Sequence, residues 1–475
     1  MKKLSTLFIL AVLIPVLTIS ILENSNHNKN AVLSIDTKKF SFNQKIEDPV
    51  VQWTATLGGT GASEILYAVI QTIDSGFAAV GQTRPYSDED LIYEDIWLVK
   101  IDSSGYHEWN TTYGDESPLI ATSLLQTSDG GFTIGGSCFH GLLLVKTDSN
   151  GQQEWNQTFI DPKWDQGVVG YSMIPTMDGG YAIVGEIDTP EEGIDIWLIK
   201  TDTTGQQEWN KTFGGKSRVT LAPDINIVSP NDDYAYSLIQ TADKGYALAG
   251  RIMYGGIGEF GESDMLFLKI NSSGQQEWNI TLGGHNSDVC YSIIQTEDNG
   301  YVLAGSTDSY GAGGSDMWLV KIDKDGNPEW NTTFGGTGSE ECYSLIRTAD
   351  NGFALAGGTT SWTDDWSDIW LVKTDYNGQS QWNITIDIRD SEDCRSVIQT
   401  TDGGFALIGY GANLESEPYN RDGLLVKISA PVELTTIPSS LTTNSKSETV
   451  KFEVFLGIIP ILLLSLLQKK DRRKN

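Results

Sequence analysis

The chain has 475 residues, of which 39% are hydrophobic and 10% aromatic, with 50 glycines and 14 prolines; this sustains a large core and excludes an intrinsically disordered chain. The 63 acidic residues outnumber the 32 basic ones, and the resulting net charge of -31 repels phosphate backbones and excludes nucleic acid as a general partner. Acidity of this size suits solubility, divalent cations or cationic partners.

The first segment, "MKKLSTLFILAVLIPVLTISIL", has a basic start and an apolar run from Leu7 to Leu22. Residues 1–30 read as a signal peptide or a signal anchor, since no clean small-residue cleavage site follows, and residues 31–50 read as a linker.

Internal repetition dominates the middle. Trp53, Trp109, Trp155, Trp209, Trp278, Trp330 and Trp382 open seven similar units, a period that belongs to repeat architectures. The fifth unit shows four strand-like pieces, "EWNITLGG", "CYSIIQT", "GYVLAGS" and "DMWLVKI", each a short apolar run bounded by Gly, Asp or Asn. In "QTEDNGY" Asp298 suits an Asx turn and Gly300 a positive φ, so the second and third pieces form a tight hairpin. In "KTDSNGQQEW" Asp148 opens the turn and Gly151 supplies the left-handed residue of a bulged hairpin, so each Trp strand pairs with the strand before it.

A blade therefore runs "SLIQT", "YALAG", "IWLVK", "WNxTF" from inside to outside. The Trp strand at Val51 to Leu57 has no blade before it, and the last three strands, Cys394 to Ile428, have no Trp strand after them. Three plus one completes a blade. The pattern predicts an all-β chain, a seven-bladed β-propeller of four-stranded blades over residues 51–428, closed 3+1 by the N-terminal strand; an open solenoid is the alternative.

Residues 429–451 are a Ser/Thr-rich stalk. Residues 452–468 are a short apolar transmembrane or sorting segment, and 469–475 a basic tail with the stop-transfer pattern of a cytoplasmic end. These features predict an extracellular propeller held at the cell surface by a C-terminal membrane anchor.

The Asp-x-x-Gly-x-x-x-Trp turn resembles the repeat of quinoprotein-type propellers and, more loosely, the Asp-box hairpin of sialidase-like propellers. It is one residue shorter than the quinoprotein form, and no adjacent cysteine pair or arginine triad accompanies it, so the resemblance implies a fold and no activity. The whole layout is similar to that of archaeal cell-surface proteins with a C-terminal anchor.

Candidate functional residues fall into three sets. Loops before the inner strand and before the third strand vary in length and share one face; they carry Trp164, Trp362, Trp366, Tyr86, Tyr93, Tyr254, Phe260 and Tyr310, which would bind a ligand or roof their own blades. Glu64, Asp233, Asp288, Glu340 and Glu392 occupy one register at the expected channel mouth, with Glu341 and Asp393 beside them. Carboxylates converging there would hold Ca²⁺, the one cofactor the pattern suggests, or serve as solvated entrance residues. Asn110, Asn156, Asn210, Asn279, Asn331 and Asn383 each begin an Asn-x-Thr on the outermost strand, with Asn271 a further sequon; they are glycosylation acceptors or a polar ladder.

Other repeated residues read as structural. The lysines of "LVK", such as Lys100, Lys200 and Lys321, pair with the hairpin acids Asp74, Asp178 and Asp298. Cys290, Cys342 and Cys394 share a small buried register with Leu66, Ala121, Gly170 and Ala235, which reads as plain packing, with a bridge between neighbouring blades or a soft metal as the alternatives. No paired histidine or nucleophile with its base is evident. The sequence predicts a monomeric binding or adhesion module for an extracellular glycan or protein; the alternative is a hydrolase or lyase using carboxylates such as Asp364 and Asp365.

Overall fold

Alternating apolar residues bounded by tight turns fold as expected into seven four-stranded antiparallel sheets. The computed structural model describes residues 49–431, apart from 59–60, 86–92, 115–117, 162–167, 190–192, 223–224, 255–262, 364–365 and 414–419, and without the side chains of 217–230, 413 and 420. The residues read as signal, linker up to residue 48, stalk beyond residue 431, anchor and tail therefore lie outside the described residues. Among those described, no helix is long and apolar enough to cross a membrane.

From inner to outer strand, blade one is Ala62–Gln71, Phe77–Pro85, Asp95–Ile101 and His107–Tyr113. Blade two is Leu119–Gln126, Phe132–Cys138, Gly141–Thr147 and Gln153–Phe159, and blade three Val169–Pro175, Tyr181–Thr189, Gly193–Thr201 and Gln207–Phe213. Blade four is Asp232–Gln240, Tyr246–Met253, Ser263–Ile270 and Gln276–Leu282, and blade five Asp288–Gln295, Tyr301–Thr307, Asp316–Ile322 and Pro328–Phe334. Blade six is Glu340–Arg347, Phe353–Thr359, Asp368–Thr374 and Ser380–Ile386. Blade seven joins Ser391–Gln399, Phe405–Asn413 and Asn420–Ile428 to Val51–Leu57.

The N-terminal strand thus closes the ring. Thr56 lies opposite Leu424 and Trp53 opposite Lys427, as Trp109 lies opposite Lys100 within blade one. Seven apolar clusters fill the interfaces between neighbouring blades, and the one joining blades seven and one, with Leu66, Phe77, Ala406, Ile408 and Leu425, is made like the rest. A solenoid would leave that cluster exposed to water.

The repeated turn earns its fidelity through contacts between blades. Gly151 has φ 77°, and a Cβ there would come within 2.7 Å of the Trp109 ring of the preceding blade. Gly105 stands in the same way on Trp53, Gly205 on Trp155, Gly274 on Trp209, Gly326 on Trp278 and Gly378 on Trp330. The outer tryptophans are accordingly half-buried, and several pack edge-on against the aromatic opening the second strand of the next blade, as Trp109 does on Phe132 at 6.1 Å. Trp97, Trp197, Trp318 and Trp370, in the third strands, are buried.

The inner hairpin differs from expectation in one respect. The left-handed residue is not Gly300 but Asn299, with φ 64°, and Ser75, Lys244 and Asn351 do the same in other blades. Gly300 is needed for room, because a Cβ there would lie 2.3 Å from Lys321 Nζ and 2.5 Å from Ile322 O. That lysine is buried and spans Asp298 at 3.1 Å and Glu329 at 2.8 Å. All seven blades pair lysine with the hairpin aspartate at 2.9–3.1 Å, so the lysines are structural as predicted.

Cys290, Cys342 and Cys394 are free, fully buried thiols, and burial pushes Cys290 and Cys342 up to about 12. They fill the small position expected of them. The long "GGKSRVTLAPDINIVSPNDD" segment, read as a loop, instead forms a two-stranded hairpin, Lys216–Ala222 with Ile225–Pro230. Its alternating β-branched residues carry that preference outside the repeat.

Candidate functional site

Each inner strand carries a bulge at one place, between Leu66 and Ala68, Ala121 and Ser123, and so on to Cys394 and Ser396. A bulge adds one residue to the strand and re-aims its side chain. The extra residues are Tyr67, Thr122, Tyr171, Tyr236, Tyr291, Tyr343 and Arg395, one per blade. They form a belt around the central channel: the rings of Tyr171 and Tyr236 lie 4.8 Å apart, Tyr236 and Tyr291 5.3 Å, and Tyr291 and Tyr343 5.1 Å. Sequence reasoning missed this belt. Its signal was the tyrosine preceding the serine in "YSLIQT" and its relatives, read there as an ordinary strand residue.

Two guanidinium groups complete the belt. Arg395 lies 4.1 Å over the Tyr343 ring and pairs with Asp393 at 2.8 Å; Arg251 lies 4.7 Å over Tyr234 and 5.9 Å from Tyr236. The buried Nε of each arginine has no hydrogen-bond partner among the described residues. Burial raises the phenols of Tyr67, Tyr171, Tyr236 and Tyr291, so they stay neutral donors. Burial also raises the carboxyl groups of Glu186 and Glu341 and lifts Asp393 to about 6 despite Arg395. Glu186 accepts from the Tyr171 hydroxyl and Glu341 from that of Tyr343.

Above the belt, on the face bearing the variable loops, a cavity of about 540 Å³ lies between blades five and six. Ser287, Ser306, Ser315, Ser339, Asp308, Glu341 and Tyr291 line it, with Gly313 and Gly314. Hydroxyl, carboxylate and aromatic groups meet there on small-residue walls. A second cavity of about 220 Å³, between blades three and four, is lined in part by Asp233, Tyr254 and Asn279.

Five predicted loop aromatics have described side chains, and one of them, Tyr254, lines the smaller cavity. Trp362 is 53% exposed and Trp366 58%, on blade six. Trp362 leans on its own blade's Trp370 at 4.9 Å, and Tyr310 on Trp318 at 5.2 Å while donating to Gly283 O at 2.8 Å. Tyr254 donates to Asp264 at 2.9 Å. Trp362, Tyr310 and Tyr254 thus roof their blades and still present aromatic surface. Tyr93 is half-buried. Tyr86, Trp164, Phe260, Asp364 and Asp365 lie outside the described residues.

The five mouth acids do not converge. Glu64, Asp233, Asp288, Glu340 and Glu392 are all buried, each at its own blade junction. Asp233 accepts from Gly215 N–H at 3.1 Å, Asp288 from Gly284 at 2.8 Å, Glu340 from Gly336 at 2.9 Å and Glu392 from Ile388 at 3.2 Å. Side chains alternate along a strand, so these five turn toward the neighbouring blade, and Glu341 and Asp393, one residue on, reach the channel.

The six sequon asparagines of the outer strands are all exposed. Asn331 and Asn383 also accept from the indole N–H of Trp318 and Trp370, each at 3.3 Å. Asn271 takes the place of the turn aspartate, and its Oδ1 accepts from the N–H groups of Ser273 and Gln275, both at 3.0 Å.

No family model and no curated protein matches this sequence. Solved structures match it in fold. The BP39L lectin from Burkholderia pseudomallei is 7% identical, with 78% of this chain and 99% of the lectin covered at a TM-score of 0.47. The polysaccharide lyase Uly1 is 9% identical over 76% of this chain and 89% of its own, at 0.45. A puromycin hydrolase is 10% identical over 74% of this chain and 50% of its own, at 0.46. At these identities the likeness is one of fold and is silent on ligand and reaction.

Proposed function

We propose that the propeller is a binding module for an extracellular carbohydrate, taken between blades five and six from the variable-loop face. The observation that carries this reading is the cavity where four serine side chains, Asp308 and Glu341 meet Tyr291 of the channel belt. Sugar rings offer hydroxyls to acceptors and C–H faces to aromatic rings, and this wall supplies both, with the exposed rings of Tyr310 and Trp362 on the same two blades. The terminal composition supports export and anchoring at a cell surface, with the basic tail on the cytoplasmic side of the membrane. Strand direction supports an outward-facing site, because Val51 and Ile428 are paired at the face opposite the variable loops.

A glycan array probed with the intact ectodomain tests this reading. Binding should appear, and Glu341→Gln and Trp362→Ala should each weaken it at least tenfold without lowering the melting midpoint by more than a few degrees. Binding unaffected by both variants, or none to any glycan, overturns the proposal. Turnover of a bound sugar would make the chain a hydrolase or lyase instead.

A further inference from the structure

At five of the seven junctions between blades, all but those of blades one and two and of blades two and three, the outer strand of one blade turns into the inner strand of the next beneath two acids. At the junction of blades five and six these are Asp316 and Glu340, and Gly335 sits between them: a Cβ there would fall 1.9 Å from Asp316 Oδ1 and 2.5 Å from Glu340 Oε2. Both Glu340 oxygens are satisfied, Oε2 by Gly336 N–H at 2.9 Å and Oε1 by the Thr359 hydroxyl at 2.8 Å.

The junction of blades six and seven departs from this plan twice. Asp387 stands where Gly335 stands, and Gly411 is opposite Glu392 in the register where Thr359 is opposite Glu340. The first change brings a third carboxylate to the pair Asp368 and Glu392; the second removes a hydroxyl donor. Among the described residues, Asp368, Asp387 and Glu392 form the one group of three ligand-type side chains with oxygens all within 4.8 Å of one another. Glu392 is fully buried; Oε1 accepts from the N–H groups of Ile388 and Arg389, and Oε2 has no hydrogen-bond partner among the described residues. Arg389, the nearest cation on the loop, is committed to Asp422 at 2.8 Å.

We infer that Asp368, Asp387 and Glu392 bind a hard divalent cation of the calcium class at the junction of blades six and seven. Three carboxylates supply all-oxygen ligation, and exposed Asp387 leaves room for water to complete the shell. The ion would pin the loop that leads from the sixth blade into the blade that closes the ring. This inference is independent of the carbohydrate reading, because its readout is the ion.

Terbium luminescence on the intact protein tests it. Trp370, two residues from Asp368, is the antenna, and native protein should give sensitised emission that calcium displaces with a midpoint of about 10⁻⁴–10⁻³ M, the range of extracellular modules. Asp387→Gly restores the residue that other blades carry, so it should fold with an unchanged circular dichroism spectrum, lose at least tenfold in affinity and lose the calcium-induced rise in melting midpoint. Glu392→Gln should lose affinity likewise. No displaceable emission in the native protein, or equal emission in Asp387→Gly, overturns the inference; the latter outcome assigns the ions to the general negative charge.

Discussion

Gln71 Oε1 accepts a 2.9 Å hydrogen bond from the backbone N–H of Thr401, a residue 330 positions further along the chain. The same bond joins sequential neighbours: Gln126 accepts from Ile73, Gln240 from Met177, Gln295 from Ala242 and Gln399 from Ala349. Blade five and blade six use an ion pair in that place, Glu297 with Arg347 at 2.6 Å. The seam between first and last blades is therefore built like an internal junction.

Removal of residues 51–57 should abolish the single cooperative unfolding transition, because it exposes the edge of Asn420–Ile428 and strips Leu57 from the seam cluster. Gln71→Ala should cost about 1 kcal/mol, the usual worth of one such bond. Calorimetry reads both; an unchanged, cooperative melt after the deletion would contradict closure by this strand.

Gly300→Ala and Asn299→Gly separate room from dihedral freedom in the inner hairpin. The first should destabilise by about 1–3 kcal/mol, since the new methyl group displaces Lys321 from Asp298 or strains the turn. The second should be neutral or stabilise by up to about 1 kcal/mol through relief of the left-handed conformation. Urea unfolding of the two variants gives the comparison, and equal losses would return the φ requirement to Gly300.

Stability should peak in mild acid. Against the effect of burial, hydrogen bonds from Thr72, Lys100 and the Gly76 N–H hold Asp74 at about 2, and Asp243 is held at about 2 in the same manner by Thr241, Lys269 and Gly245. A carboxyl depressed in the folded state stabilises above its ordinary value near 3.8, and that stability is lost as pH falls toward 2. Asp233 is the opposite case: burial, with Asp195 and Asp232 nearby, lifts it to about 7. The folded state then holds a proton that the unfolded chain has released, so stability falls as pH rises from about 4 to about 7. Melting midpoints from pH 2 to 8 should show both limbs, and Asp233→Asn should flatten only the upper one.

In a host that glycosylates secreted chains, mass spectrometry of tryptic peptides should find glycan on exposed outer-strand sequons such as Asn110, Asn156 and Asn210. Asn271 should stay bare, because its side chain closes a turn. Seven unmodified asparagines would assign the Asn-x-Thr pairs to strand packing alone.

Much of the architecture was legible because it is local and repeated. Gly151 and Asp148 announce their turn by type, the strand period is written in alternating residues, and the spare Trp53 strand matches the missing strand of the last blade. The lysine and hairpin-acid pairs followed from their common register. The site was less legible. Glu392 and Asp393 are adjacent in the chain, yet one faces a junction and the other the channel, and a single bulged residue after Cys394 decides which way Arg395 points.

The sequence by itself determined the blade count, the places of the turns, the closing strand and the buried small register, since each depends on residues within one unit or on a count of units. Only the tertiary structure decided what the repeats meet. The tyrosines join into a belt because a bulge adds a residue to every inner strand at the same height. Asp387 joins Asp368 and Glu392 because the ring brings two strands of one blade against the first strand of the next. Those meetings depend on distances across the ring, which a linear pattern does not carry.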